Sequence, residues 1–294
     1  MKLHNSSLAL ILFTACLTAQ EPEYGPVKGT LVIQGGGSAA GTGILETFIN
    51  RAGGRDAKIV VVPTAGGNRT ADGKLRVYEE DFVLSSWRKM GLTNVHMLHT
   101  ADPKVADTEE FASVLRDAAG VWFDGGRQWN VVDSYAGTLT LKEFRKVLER
   151  GGVIAGSSAG ATIQGDYLVR GAIAGSEIMM TPEPQHEHGF AFLRRSAIDQ
   201  HINTRNRWDD LIPVMKKYPN LLGIGISEGT AIVVNGDRLE VIGKWKVTIH
   251  DTTRAYQPWE KPYFVLSPGD VYNMKTRVVE KYGTGVLVPA TLKK

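Results

Sequence analysis

The sequence has little that would support thiol, disulfide or metal chemistry. Its 294 residues include one cysteine, Cys16, which lies in an apolar stretch near the start. A single cysteine cannot form an intramolecular disulfide or a multi-cysteine metal site. His186 and His188 form a His-Xaa-His pair, but they lie in a Pro-rich segment without acidic ligands on a rigid element beside them. We therefore expect no metal site.

The chain also lacks a large excess of one charge sign. Its 34 Lys and Arg residues nearly balance 31 Asp and Glu residues, which leaves a net charge of +3. That balance, with only short basic pairs, is not the footprint of a nucleic-acid-binding protein. We expect no nucleic-acid partner.

No apolar run is long enough to predict a transmembrane helix. The longest, residues 8–17, follows the basic Lys2 and precedes small and then polar residues, the pattern of a secretory signal peptide. We predict a signal peptide over 1–19, cleaved after Ala19, a linker over 20–29, and export to the periplasm or the medium. A lipoprotein with Cys16 as the lipidated residue is an alternative.

The rest of the chain alternates short β-branched runs with helical patterns. This order predicts an α/β fold with a doubly wound, mostly parallel sheet flanked by helices. The predicted strands lie near residues 30–36, 58–65, 94–99, 120–126 and 151–156. We predict one domain over 30–250, followed by a β-rich extension over 251–294 that packs on it.

Two Gly-rich loops follow predicted strands, "QGGGSAAGTG" and "FDGGRQWN". The first suggests nucleotide binding, since glycines before a helix can cradle phosphate. However, no acidic residue ends the second strand, and the chain has no Gly-Lys-Ser or Gly-Lys-Thr. Nucleotide binding is therefore disfavoured.

The stretch "GGVIAGSSAGATI" places Ser158 between small residues at the end of a predicted strand. One interpretation is a nucleophile on a sharp strand-to-helix turn. The other is a Gly-rich junction in which Ser158 is only a helix N-cap. A nucleophile needs a base, and His201 stands in the polar segment "AIDQHINTRNRWDD", which is more typical of a site than of a core.

Five segments appear in a common order: "GGG" after the first strand, "FDGGRQ", "GSSAGA", "IDQHINTRNR" and "GIGISEGTAIVV". With them, the sequence resembles the cyanophycinase and aspartyl dipeptidase family of serine peptidases, which share a glutamine-amidotransferase-like fold. The resemblance implies Ser158 as nucleophile, His201 as base and Glu177 as the acid that orients it, with Asp166 and Asp199 as alternatives to Glu177. It implies an oxyanion hole from the amides of Gly126 and Ala159, no cofactor, and a homodimer.

The resemblance also implies which side chains bind substrate: Gln128, Asp199, Gln200, Arg205 and Arg207. The two arginines could hold the free α-carboxylate of a β-aspartyl peptide, and Asp199 a cationic group. Alternatively, the arginines form local ion pairs with Asp209 and Asp210, and Gln128 only caps a turn. Asp210 stands where the family commonly has an arginine, which puts activity on the polymer in doubt.

The expected function is that of a secreted serine peptidase that hydrolyses β-aspartyl isopeptide bonds, in cyanophycin or in β-Asp-Arg peptides. Two alternatives stay open at this point. The chain could be an aspartyl dipeptidase that cleaves N-terminal Asp-Xaa bonds, or a catalytically silent secreted binding protein on the same fold.

Overall fold

The computed structural model describes residues 21–284. The predicted signal peptide, with Cys16, lies outside these residues, as does the end of the predicted C-terminal extension. Within the described residues, no helix is both long and apolar enough to cross a membrane.

The apolar, β-branched runs form a nine-stranded sheet. Five strands are parallel: β1 (Thr30–Gln34), β2 (Ile59–Val62), β3 (Val95–Met97), β4 (Gly120–Phe123) and β5 (Val153–Ser157). Four are antiparallel: β8 (Thr230–Asn235), β9 (Arg238–Gly243), β12 (Val271–Asn273) and β13 (Val278–Lys281). The strand order is β13-β12-β9-β8-β1-β5-β4-β2-β3.

A second, four-stranded sheet contains β6 (Ser196–Gln200), β7 (Leu222–Ile226), β10 (Val247–His250) and β11 (Phe264–Leu266). Its order is β11-β10-β7-β6, and β6 and β7 are parallel. The sequence did not predict this separate sheet. The extension after residue 250 supplies β11 to the second sheet and β12 and β13 to the first, so it is part of the same structure.

Helices cover both faces of the parallel strands, which confirms the α/β fold class. They are α1 (Ile44–Arg51), α2 (Glu80–Lys89), α3 (Pro103–Ala106), α4 (Glu109–Ala112), α5 (Gln128–Tyr135), α6 (Leu139–Glu149), α7 (Ala159–Thr162) and α8 (Ile212–Lys217). Helices α1 and α2 pack on one face through Phe48 and Trp87, whereas α5 and α6 pack on the other through Tyr135 and Phe144. Strands buried on both faces are expected to be apolar, as β2 is throughout and β1 is between Thr30 and Gln34.

Part of the segment predicted as a linker, residues 22–25, packs against the domain. Its Glu23 and Tyr24 amides donate to the Asp237 carboxylate, and Tyr24 is 1% exposed. The Arg194 guanidinium donates to backbone carbonyls of the same segment. This part of residues 20–29 is therefore a fixed element and not a free linker, because its backbone and aromatic ring have partners.

The carboxyl ends of β1, β4 and β5 meet at one edge of the large sheet, where ligands bind in open α/β folds. The carboxyl ends of β6 and β7 reach the same edge, because the His201 amide donates to the Gly35 carbonyl just beyond β1. The fold thus brings five strand ends together around one site.

Candidate active site

Ser158 lies on a sharp turn between β5 and α7. Its backbone angles, φ 57° and ψ −113°, are sparsely populated for a non-glycine residue and cost about 1–3 kcal/mol. The small neighbours are required, since a Cβ at Gly160 would lie 2.1 Å from the Phe123 carbonyl oxygen. The N-cap interpretation is wrong, because the Ser158 side chain makes no capping hydrogen bond. The turn instead presents the hydroxyl to another side chain.

That side chain is His201, which follows the last residue of β6. Ser158 Oγ lies 2.8 Å from His201 Nε2, and His201 Nδ1 lies 2.5 Å from Glu228 Oε1. An ionised carboxylate can only accept a hydrogen bond, so Nδ1 carries the ring proton and Nε2 is free to accept from Ser158. The three side chains have the mutual arrangement of a serine nucleophile, a base and its orienting acid.

The local environment sets the charges that this arrangement needs. Burial lowers the pKa of His201 below its ordinary value of 6.5, although the hydrogen bond with Glu228 partly opposes this. Burial raises the pKa of Glu228, but hydrogen bonds from His201 and Thr204 outweigh it and lower the pKa overall. At neutral pH the imidazole is therefore uncharged and the carboxylate ionised.

The structure places Glu228, and not Glu177, against His201. The Glu177 side chain is 85% exposed, and its carboxylate lies 3.8 Å from the Arg207 guanidinium. The two alternatives also have other partners: Asp166 accepts from the Arg195 amide, and Asp199 from Arg170. The prediction of Glu177 as the orienting acid is thus corrected to Glu228.

A signal for Glu228 was present in the sequence. It lies two residues after the end of β7 in "GIGISEGTAIVV", and His201 lies one residue after the end of β6. Gln200 pairs with Ile226 in the parallel ladder, so the residues after these two strands lie at one edge. Sequence alone did not show that β6 and β7 are neighbours, because 21 residues with a short helix separate them.

The Gly-rich loop after β1 supports the base and the acid. A Cβ at Gly36 would lie 2.2 Å from His201 Cε1, and one at Gly37 would lie 2.7 Å from Glu228 Oε2. The Gln34 side-chain amide donates to both glycine carbonyls and holds the loop. These glycines therefore make room for catalytic side chains, which is a different use from cradling a phosphate.

The two residues predicted to form the oxyanion hole lie beside Ser158. Ala159 is the next residue and opens α7, and Gly126 adjoins Gly125, where an added Cβ would lie 3.3 Å from Ser158 Cβ. Within residues 21–284, neither the Ala159 nor the Gly126 amide donates to another group. The oxyanion hole stays a prediction, with both amides free to serve it.

Two of the predicted substrate contacts are occupied within the protein. Asp199 is fully buried and accepts from Arg170 Nε at 2.8 Å and Nη2 at 3.1 Å. The Gln128 amide nitrogen donates to the Val169 and Arg170 carbonyls at 2.7 and 2.9 Å, from the first residue of α5. The expectation that Asp199 binds a cationic substrate group is corrected, because Arg170 already neutralises it. The Gln128 amide group supports the 169–170 backbone.

The other three predicted contacts have groups without protein partners. Arg207 is 5% exposed, yet its Nη1 makes no hydrogen bond to any described residue, and Oε1 of the buried Gln200 is likewise unpaired. Burial and the nearby Arg170 lower the pKa of Arg207. Arg205 is exposed and close enough to lower the pKa of His201.

The alternative of local arginine ion pairs is wrong. The Asp209 carboxylate accepts from Lys261 Nζ at 2.5 Å, and the Asp210 carboxylate accepts from Arg170 Nη2 at 2.5 Å. Neither aspartate pairs with Arg205 or Arg207. Asp210 therefore belongs to the ion-pair group of Arg170 and Asp199.

The His-Xaa-His segment lies apart from this arrangement. His186 is buried, and its Nε2 lies 2.7 Å from Asp133 Oδ1 on α5. Within residues 21–284, no group of three or more His, Cys, Asp or Glu side chains could hold a metal ion.

Comparison with known proteins agrees with this geometry. The model of "Peptidase family S51" matches residues 31–242. The chain belongs to this family. A cyanophycinase from Synechococcus elongatus is 32% identical over 271 residues, with 86% of this chain and 81% of the relative covered. A cyanophycinase from Trichormus variabilis is 30% identical over 251 residues, covering 83% and 79%.

Solved structures support the same fold. The crystal structure of a peptidase from an acI-B1 Actinobacterium superposes with a TM-score of 0.62 at 23% identity, covering 85% of this chain and 98% of that one. The resemblance stated from the motifs is thereby confirmed, and this S51 family member is a serine-type peptidase.

Proposed function

We propose that this S51 peptidase hydrolyses peptides or polymers with β-aspartyl linkages, of the cyanophycin or β-Asp-Arg type, through an acyl-enzyme. One observation carries the mechanism: Ser158 Oγ, His201 and Glu228 form a continuous hydrogen-bonded chain with distances of 2.8 and 2.5 Å. Both distances are within the hydrogen-bond reach that proton transfer from the serine to the imidazole requires.

In the first step, Ser158 Oγ attacks the carbonyl carbon of the scissile bond while His201 Nε2 takes the hydroxyl proton. Glu228 stabilises the imidazolium that results. The amides of Ala159 and Gly126 stabilise the oxyanion, each contributing about 2.7–4 kcal/mol. His201 then gives the proton to the leaving amine, which departs and leaves an ester on Ser158. Water, deprotonated by His201, hydrolyses this ester and restores the serine.

Substrate preference follows from the unpaired groups beside the triad. A β-linked aspartyl residue has a free α-carboxylate, which an α-linked residue lacks. Arg207 Nη1 and the exposed Arg205 guanidinium offer cationic donors to such a carboxylate, and Gln200 Oε1 offers an acceptor to the α-amino group. A buried guanidinium nitrogen without a hydrogen bond is unfavourable in the free protein, and an anionic ligand that accepts from Arg207 Nη1 relieves it. The relatives named as cyanophycinases are consistent with this substrate class.

The proposal is tested with a substrate panel and two serine variants. β-Asp-Arg, α-Asp-Arg and insoluble cyanophycin are incubated with wild type, Ser158→Ala and Ser113→Ala, and products are identified by mass spectrometry. Ser113 is the matched control, since it is an exposed serine whose hydroxyl donates to the Glu110 carbonyl, away from the site. A fluorophosphonate should label wild type and Ser113→Ala and not Ser158→Ala.

The outcomes separate the alternatives. Products from the β-linked substrates that disappear in Ser158→Ala support the proposal. Preference for α-Asp-Arg would instead identify an aspartyl dipeptidase. Absence of both labelling and hydrolysis would identify a silent binding protein.

We also propose export and a homodimer, each on a single line of support. Export rests on the residue pattern of 1–19, and the homodimer on the family resemblance. Mass spectrometry of the protein after expression with its full N-terminus tests cleavage after Ala19 against lipidation of Cys16. Light scattering of the mature protein tests the homodimer, and a monomer mass would overturn it.

A further inference from the structure

A cavity of about 410 Å³ lies beside Ser158, on the face of the sheet that carries α1 and α2. Trp87 and Trp122 form aromatic walls, and Asp124 and Ser157 contribute polar groups. Gly125, which also lines the cavity, lies next to the nucleophile, since a Cβ added there would be 3.3 Å from Ser158 Cβ. The cavity is therefore large enough for a side chain and adjacent to the nucleophile.

Asp124 is the charged group of this cavity, and it lacks a counter-ion. Its Oδ1 accepts one hydrogen bond, from Trp122 Nε1 at 3.0 Å, and it forms no ion pair with any residue in 21–284. Burial raises the pKa of Asp124 to about 6, so the group is still ionised at neutral pH. Asp199, in contrast, is neutralised by Arg170. The negative charge of the Asp124 carboxylate is therefore not compensated by any described residue.

We propose that this cavity binds a cationic side chain, of the guanidinium class, on the leaving-group half of the substrate. Asp124 supplies the anion, and the indole walls of Trp87 and Trp122 suit a planar, weakly hydrated cation. The inference rests on the proposed function only for the position of the scissile bond.

The position of the cavity assigns it to the leaving group. Its wall includes Gly37, whose backbone lies against Glu228, so it is on the side of the acid and base. The leaving amine must be on that side, because it takes its proton from His201. Arg207, whose Nη1 has no hydrogen-bond partner among the described residues and suits an anionic acyl group, does not line this cavity.

Binding is tested without turnover, in the Ser158→Ala protein. Arginine amide represents the leaving group, and citrulline amide is its neutral counterpart of nearly the same shape. Isothermal titration calorimetry should show binding of arginine amide at least about tenfold tighter than citrulline amide. Asp124→Asn on the same background should reduce this ratio to about one, with little change for citrulline amide.

Asp72→Asn is the matched control, since it removes the same charge from a surface turn and should leave the ratio unchanged. In the Ser158-containing Asp124→Asn protein, unchanged fluorophosphonate labelling shows that the active site still forms. An unchanged arginine preference in Asp124→Asn, or no preference in its parent, would overturn the proposal while the peptidase assignment stands. If a fluorophosphonate labelled no Ser158-containing protein but the preference for arginine amide persisted, the cavity proposal would stand and the proposed peptidase function would fail.

Discussion

The two regions on either side of Ser158 Oγ differ in how completely their polar groups are paired. In the triad, both His201 nitrogens and the Glu228 carboxylate have partners at 2.5–2.8 Å. On the arginine side, Arg207 Nη1 and Gln200 Oε1 are buried without one. The triad groups are held by hydrogen bonds within the protein, whereas Arg207 Nη1 and Gln200 Oε1, which we propose to contact substrate, have no hydrogen-bond partner among the described residues.

Burial by itself does not separate the two kinds of group, as Arg170 shows. Arg170 is 1% exposed and Arg207 5%, so both are buried cations. Arg170, however, donates to Asp199, Asp210 and the Ser176 carbonyl. The Arg170 guanidinium is therefore bound within the protein, whereas Arg207 has a 3.8 Å ion pair with the exposed Glu177 and a free Nη1 that we propose binds substrate.

The largest expected effect comes from breaking the paired region. Glu228→Gln should lower kcat by about 10⁴-fold, because the imidazole loses the carboxylate that fixes its tautomer and stabilises its charge. Steady-state kinetics on the preferred substrate measure this. The control is Glu177→Gln, which should change kcat less than about threefold because Glu177 is exposed. The reverse order of the two effects would restore Glu177 as the orienting acid.

The next effect distinguishes the two buried arginines by stability. Arg170→Met should lower the free energy of unfolding by about 3–5 kcal/mol, since it leaves Asp199 buried and unpaired. Arg207→Met should lower it by at most about 1 kcal/mol, because the ion pair that it breaks is a 3.8 Å contact with the exposed Glu177. Chemical denaturation of both variants gives the comparison, and Arg170→Met combined with Asp199→Leu should recover much of the loss. Equal destabilisation by the two single variants would contradict the distinction.

Arg207→Met should have a smaller effect, seen in catalysis. We expect KM for a β-aspartyl substrate to rise about 10–100-fold with kcat little changed, from the loss of charge-assisted hydrogen bonds. Kinetics with β-linked and α-linked peptides check it. If KM for both substrates rose equally, Arg207 would not be reading the free α-carboxylate.

The smallest effect concerns pH. His201 must be uncharged to act as a base. The value of kcat/KM is therefore maximal above the pKa of His201 and falls as the pH drops through that pKa. Burial places that pKa below 6.5, and Arg205 lowers it further. The acid limb of the pH profile should therefore have its midpoint below 6.5, and in Arg205→Gln it should move upward. A midpoint above 6.5 in wild type would contradict the environment described for His201.

Much of the parallel half of the fold could be predicted from local pattern. The runs "TLVIQ", "GVWF" and "VIAGS" became β1, β4 and β5 because a strand covered on both faces needs an unbroken apolar sequence. The local pattern does not predict helix α5. This helix begins at Gln128, within the Gly-rich segment "FDGGRQWN", and it has several polar residues that are buried by packing. The split of the later strands into two sheets was also missed, because strand pairing is not encoded locally.

The site was predicted where the motif is local and missed where it depends on strand neighbours. Small residues around Ser158 and the polar segment around His201 are visible in the sequence, and the structure brings these two side chains together. The family resemblance implies Glu177, which lies in an exposed loop. Its replacement, Glu228, and the pairing of Asp199 with Arg170 follow only from which elements are adjacent in space.

The sequence by itself determined the strand-to-helix turn at Ser158, since its steric demands are met by glycine and alanine within a few residues. The tertiary structure decided which acid orients His201, and which buried charges remain unpaired. Those properties depend on contacts between segments far apart in the chain. The residues next to a charged side chain in the sequence do not show which partner it contacts in the folded protein.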